Sequence, residues 1–219
     1  MIFLRALLFL LLLASPIAAA ETYDLIFREG SLSGLPQADV LTYDRRVDVE
    51  TNPEYSARNT GHVELTFEPD DMARLQFVQD EKHKLLGRFP ATVGNPIIMY
   101  FVETVLRDVA HEAGGSPFYI RNRIKESLLL QVPVVEADVA YGDQTVAAKQ
   151  IVLRPFETDK SRDKMGAYAD LSLTFTMSEQ VPGWYSSLVA DAPGKEGAPG
   201  YSNALTLLPA GIPASEAEK

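Results

Sequence analysis

Leu41–Val49 reads LTYDRRVDV. Its odd positions are Leu41, Tyr43, Arg45, Val47 and Val49; its even positions are Thr42, Asp44, Arg46 and Asp48. Successive side chains of a strand point to opposite faces, so this alternation predicts a strand with one buried face and one wet face. Toward the C-terminus, Val63, Leu65 and Phe67 repeat the pattern, with Glu64, Thr66 and Glu68 opposite. Glu68-Pro69-Asp70-Asp71 forms a turn cluster, and Ala73, Leu75 and Phe77 resume the alternation, which predicts an antiparallel hairpin. Toward the N-terminus, Tyr23, Leu25 and Phe27 predict an earlier strand, ended by the Gly/Ser/Pro-containing stretch from Gly30 to Pro36.

The period changes in the middle of the chain. Asn95-Pro96 predicts a helix start, with Asn as the capping acceptor and Pro at the first helical position, where no N–H is needed. Ile97 to Val102 is apolar on every side, and charges then appear at Glu103, Arg107, Asp108, His111 and Glu112. Ile98, Phe101, Val102, Val105 and Val109 keep helical spacing, so the helix begins deeply buried and ends amphipathic. Gly114-Gly115 stops it. Ser116-Pro117 caps a second helix running to about Leu130, with Ile120, Ile124 and Leu128 on one face. The two form a helical hairpin.

Strands then return. Val135 to Tyr141 and Thr145 to Leu153 flank Gly142-Asp143-Gln144, another hairpin. A charged loop, Thr158 to Lys164, precedes Leu171, Leu173, Phe175 and Met177, which alternate with Ser172, Thr174 and Thr176. Val181-Pro182-Gly183-Trp184 places Pro and Gly where a type II turn wants them, and Trp184 to Val189 is the return strand. From Asp191 the chain turns rich in Pro, Gly and Ala, with Ala204 to Leu208 expected as a last edge strand.

The first residues have the order of an export signal. Arg5 supplies positive charge, Ala6 to Ala14 is unbroken apolar sequence, Ser15-Pro16 breaks the helix, and Ala18-Ala19-Ala20 offers small residues for cleavage. A signal peptide over 1–20, a single domain over 21–190 and a Pro/Gly/Ala-rich tail over 191–219 are expected, with the mature protein in the periplasm. The alternative is an uncleaved anchor, but the apolar run is short of the about 20 residues of a transmembrane helix. No later segment is apolar enough to span a membrane, so no transmembrane segment is expected after signal removal.

Composition excludes several functions. With 219 residues, 46% hydrophobic and 23% charged, the chain is an ordinary packed globular protein. It has no cysteine, so disulfides, thiolate metal sites and cysteine nucleophiles are excluded. A net charge of −10 argues against non-specific binding to nucleic acid. Three histidines, His62, His83 and His111, form no H-E-x-x-H pattern. Asp108, His111 and Glu112 have i, i+3, i+4 spacing that could present two or three metal ligands, but a solvated helix face with an Arg107–His111 neighbour pair is the reading preferred. There is no G-x-S-x-G elbow, since Gly30 to Gly34 centres on Leu32, and no phosphate-cradling glycine loop. No catalytic residue and no cofactor is expected, and the screen points away from an enzyme.

Three features rise above that background. Arg121, Arg123 and Lys125, with Arg107 on the neighbouring helix, form a positive patch on an acidic protein, suited to an anionic head group, an acidic partner or salt bridges to Glu126 and Glu103. Ile98, Phe101, Val102 and Val105 are either plain core or a lid presenting apolar surface to a lipid-like ligand. Phe118 and Tyr119 are expected as a hydrophobic staple against the first helix.

Strands, a helical hairpin, then strands predict an α+β fold: one strongly curved antiparallel sheet of about nine or ten strands with the central helical hairpin packed on its concave face. A two-sheet sandwich with the helices at one end is the alternative. The order and size of these elements behind a signal peptide resemble the half-barrel carriers of the bacterial envelope, the LolA-like lipoprotein carriers. That resemblance implies an apolar concave cavity, without assigning it to particular residues here. Gly114 to Lys125, GGSPFYIRNRIK, is similar to segments of uncharacterised exported bacterial proteins. The expected function is binding or carrying a hydrophobic or amphiphilic ligand such as a lipid. The alternative is a structural or protein-interaction component of the cell envelope without a small-molecule ligand.

Overall fold

A computed structural model describes residues 17–194 and 199–210, with the side chains of 17–21 and Pro199 left aside. It contains one antiparallel sheet of nine strands: β1 (Val40–Val49), β2 (Gly61–Glu68), β3 (Met72–Gln79), β4 (Lys82–Pro90), β5 (Val134–Tyr141), β6 (Gln144–Leu153), β7 (Ser172–Met177), β8 (Tyr185–Pro193) and β9 (Pro199–Leu207). The helices are α1 (Ile17–Ile26), α2 (Pro53–Asn59), α3 (Ile97–Glu112) and α4 (Pro117–Leu128). The order across the sheet is β4-β3-β2-β1-β9-β8-β7-β6-β5. One meander runs outward from β1 to the β4 edge, and the other runs inward from the β5 edge to β9. The two halves join where β1 pairs with β9.

This topology explains the position of the helical hairpin. Strands β4 and β5 follow one another in the chain but form opposite edges of the sheet. The chain must cross a face between them, and α3–α4 makes that crossing on the concave side of the curved sheet. The α+β fold with its helical hairpin on the concave face is the architecture expected from the sequence, and the sandwich is not formed.

Period two decides which side chains meet the helices. All five odd residues of Leu41–Val49 are buried, and Val63, Leu65, Leu75, Leu173, Phe175 and Met177 are buried with them. Phe101 of α3 stands edge-on to Phe175, ring centres 6.1 Å apart. The even residues Thr42, Asp44, Arg46 and Asp48 are half-buried or exposed on the convex side. At the entry to α3, the side-chain oxygen of Asn95 accepts from the Ile97 N–H at 3.1 Å, as a cap should, although Pro96 precedes the helix rather than opening it. Asn95 Nδ2 donates to the Tyr43 hydroxyl at 2.8 Å and to the Gly183 carbonyl at 2.9 Å, so one amide joins β1, α3 and the 181–184 turn. Gly114, at φ +66, ends α3 in the left-handed region.

Four expectations are corrected. Residues 23–27 are not a strand. They belong to α1 and the turn after it, where Thr22 and Ile26, four apart, are the buried pair. The carbonyls left without helical partners at that end are satisfied from the opposite half of the chain: Trp184 Nε1 donates to Leu25 O at 2.8 Å and the Tyr185 hydroxyl to Ile26 O at 2.6 Å. The last strand is not at an edge. β9 lies at the centre of the sheet, and β8 continues to Pro193, so much of the stretch expected as a tail builds the sheet. Phe118 is not a staple, being 73% exposed beneath Arg121. Finally, α2 and β4 are elements that the hydrophobic pattern does not place. The expected signal peptide lies outside the described residues except for 17–20, which are helical and continuous with 21–26.

Candidate ligand-binding cleft

Arg45 is the anomaly of the buried face. It belongs to the inward set of β1, opposite Gly61 of β2 and Leu205 of β9, and is only 3% exposed. Its guanidinium carbon lies 5.6 Å from the ring centre of Phe77 and 5.4 Å from that of Tyr100. Cation–π attraction to both rings offsets part of its desolvation. Its Nε has no hydrogen-bond partner, and it takes part in no ion pair among the described residues. Gly61 makes room for this arrangement. A Cβ there would fall 2.5 Å from the Val78 carbonyl and 3.0 Å from the Phe77 ring.

Arg45 faces an open cleft of about 540 Å³ between α2, α3 and the β3–β4 edge of the sheet. That volume falls in the range of small-molecule sites. Phe77, Leu85, Leu86, Tyr55 and Tyr100 give it apolar and aromatic walls. Leu85 and Leu86 both reach the cleft because β4 carries a bulge: Gln76 pairs with Leu85 and Leu75 with Gly87, leaving Leu86 unpaired in the ladder. Bulges of this kind re-aim side chains at sheet edges. The rim is basic. Arg58, Lys82, Lys84 and Arg107 join Arg45, and Asp108 is the only acid among the described lining residues. Of these cations only Arg107 has a described carboxylate partner, Glu103 at 3.5 Å.

Asp108 is turned away from solvent and holds the back of the cleft together. It is 2% exposed and accepts from the Tyr55 hydroxyl, from the Tyr201 hydroxyl at 2.8 Å and from Asn203 Nδ2 at 2.9 Å. Burial, and then the Asp108 carboxylate beside them, push the Tyr55 and Tyr201 hydroxyls well above the usual tyrosine range. Burial also raises Tyr100. These phenols therefore stay protonated at neutral pH; Tyr55 and Tyr201 donate to Asp108, while the Tyr100 oxygen accepts from Arg45. The network ties α3 to α2 and to the central strand β9, so the cleft has a rigid floor.

The residues singled out from the sequence fall elsewhere. Ile98, Phe101 and Val105 are buried in the main core and Val102 is half-buried. The basic patch is divided among carboxylates: Arg121 pairs with Glu103 at 3.6 Å, and Arg123 with Glu126 at 2.6 Å and Asp159 at 3.7 Å, while Lys125 is exposed. Only Arg107, its outlying member, reaches the cleft. Asp108, His111 and Glu112 do not converge. Asp108 points inward, whereas His111 Nδ1 lies 2.9 Å from Glu112 Oε1 and its ring stacks near Tyr55. Among the described residues no three His, Cys, Asp or Glu side chains gather as a metal site. No described helix is long and apolar enough to cross a membrane.

Hydrophobic patterning alone does not single out the cleft residues, but the sequence carries two signals of them. Arg45 stands at a buried parity position among Leu, Tyr and Val, and Lys82-His83-Lys84-Leu85-Leu86 sets cations beside apolar residues. Comparison with known proteins finds no matching family model and no matching curated relative.

Proposed function

We propose that this is an exported, periplasmic binding or carrier protein for a hydrophobic or amphiphilic ligand, and that the ligand lies in the cleft between α2, α3 and β4. The observation that carries this reading is the cleft: aromatic and leucine walls, a volume suited to a single-chain ligand, and a floor pinned by the Asp108 network. The proposed site lies on the other side of α3 from Ile98, Phe101, Val102 and Val105. Export through the N-terminal signal, with cleavage near Glu21, is part of the proposal. The contacts at Leu25 and Ile26 that anchor α1 follow that point and survive it.

Native mass spectrometry of protein purified without detergent from its own envelope tests the reading. A retained small amphiphile, absent from a Leu86→Arg/Tyr100→Glu variant, supports it. Bare protein that also fails to bind a dansylated fatty acid saturably overturns it.

A second reading, an envelope interaction component, is favoured by apolar exposure at the other edge. Leu129 and Leu130 are each 57% exposed and Val135 on the β5 edge strand 55%. Exposed apolar residues grouped this way suit a protein partner. On this second reading, serine substitutions at all three abolish partner capture while the protein stays folded.

A further inference from the structure

We infer that the ligand of this cleft carries an anionic head group, a carboxylate or phosphate, and that the buried guanidinium of Arg45 is its receptor. The inference rests on the ligand-binding reading and names the ligand's chemistry.

Three independent observations lead there. The first is the state of Arg45. A guanidinium has five N–H donors in a fixed fork and normally finds carboxylates or carbonyls to fill them. Here it is 3% exposed, its Nε is unpartnered and it makes no ion pair among the described residues. A charge removed from water without a counterion is costly. The rings of Phe77 and Tyr100, and the Tyr100 hydroxyl oxygen that accepts from the guanidinium, offset part of this but carry no negative charge. An anion entering the cleft would supply what is missing.

The second is the sign of the surroundings. The chain as a whole is strongly acidic, at −10, yet five cations and one acid line the cleft. The one acid, Asp108, is already engaged by two hydroxyls and an amide. Local positive potential in an acidic protein attracts and orients anions. Lys82 and Lys84 are exposed on the outermost strand, where they form an entry, and Arg45 lies at the inner end.

The third is the apolar wall beside the charge. Leu85, Leu86 and Phe77 line the same cleft. A free inorganic anion gains nothing from them, whereas an alkyl chain joined to the anion does. The geometry therefore fits a single-chain anionic amphiphile better than either half of it.

Isothermal titration with dodecanoate, dodecyl phosphate, dodecanol and inorganic phosphate, each below its aggregation limit, tests the assignment. The wild-type protein binds the two anionic amphiphiles at least about tenfold more tightly than dodecanol, the scale of a charge-assisted bidentate hydrogen bond. Arg45→Met keeps dodecanol binding and loses the preference. A Lys82→Gln/Lys84→Gln variant, altered only at exposed positions, reduces the preference and its salt dependence, so the proposal remains testable if Arg45→Met folds poorly. Equal binding of dodecanol and dodecanoate by wild type overturns the anion assignment and leaves the amphiphile reading standing. Inorganic phosphate binding as tightly as dodecyl phosphate overturns the amphiphile reading. No binding of any of the four overturns both.

Discussion

The Tyr201 hydroxyl donates to Asp108 Oδ2 at 2.8 Å, joining the central strand β9 to the middle of α3 across 93 residues of sequence. Asn203, two residues along the same strand face, donates to the same oxygen at 2.9 Å. Removing the acceptor strands both buried donors. Asp108→Ala is therefore expected to cost roughly 2–5 kcal/mol, and Tyr201→Phe, which removes one donor and leaves Asp108 two others, about 1–1.5 kcal/mol. Urea midpoints at neutral pH measure both, and the reverse ranking contradicts this account of the network.

Phe175 and its neighbour Thr174 separate the two faces of the sheet. Phe175 is fully buried against Phe101, and Thr174 is half-buried on the convex side. Phe175→Ala is expected to destabilise by about 3–5 kcal/mol and Thr174→Ala by well under about 1 kcal/mol. Equal losses in thermal or urea unfolding would mean that the burial pattern of β7 is wrong.

Gly183 sits at φ +75 in the turn before β8, and a Cβ there would come 2.6 Å from Leu41 Cδ1 and 2.8 Å from Asn95 Nδ2. Left-handed backbone costs a non-glycine residue about 1–2 kcal/mol, and crowding of a packed site adds about 1–3 kcal/mol. Gly183→Ala is thus expected to lose roughly 2–5 kcal/mol. Gly166 has a similar φ of +55 but open space around it, so Gly166→Ala shows the backbone cost alone. Matching losses at the two sites would remove the Asn95 contact from the explanation.

Asp159 supplies a pH dependence. Burial of its carboxyl acts to raise its pKa, but bonds from the Tyr119 hydroxyl and the Ser161 N–H, with Arg123 nearby, outweigh this and hold it below the usual aspartate range. A carboxylate depressed in the folded state contributes stability that is present above its unfolded value, about 3.9, and is lost as pH falls toward the folded one. Stability measured from pH 6 down to pH 3 is expected to fall more steeply for wild type than for Asp159→Asn. Parallel curves contradict the assignment.

Period two makes most of the sheet legible in the amino-acid order alone. It marks the strands around Leu41–Val49, Val63–Phe67 and Leu171–Met177, because each puts its large apolar residues on the inward face and smaller or polar ones on the other. It fails where that contrast is weak. Tyr23, Leu25 and Phe27 fit a strand over five residues, but the buried spacing is Thr22 to Ile26, a helical one. Edge strand β4 escapes the pattern because its residues are half-buried or exposed on both faces. Helix α2 is too short to show a periodic face, although Asn52-Pro53 repeats the Asn95-Pro96 signature and Asn52 does cap it, accepting from the Tyr55 N–H at 3.2 Å. Strand order is set by long-range pairing, so nothing local to residues 199–207 marks them as the sheet centre. The candidate site is legible only as two irregularities, an arginine at a buried position of β1 and the cations set beside leucines at Lys82–Leu86.

The most direct test of the binding account is where an alkyl chain sits. With leucine methyls selectively labelled and saturating dodecanoate added, filtered nuclear Overhauser spectra report which leucines touch the ligand. The account predicts cross-peaks from the chain methylenes to the methyls of Leu85 and Leu86, on the bulge of β4, and none to Leu129 or Leu130 at the far edge. Cross-peaks confined to Leu129 and Leu130, or no cross-peaks at all, would contradict it.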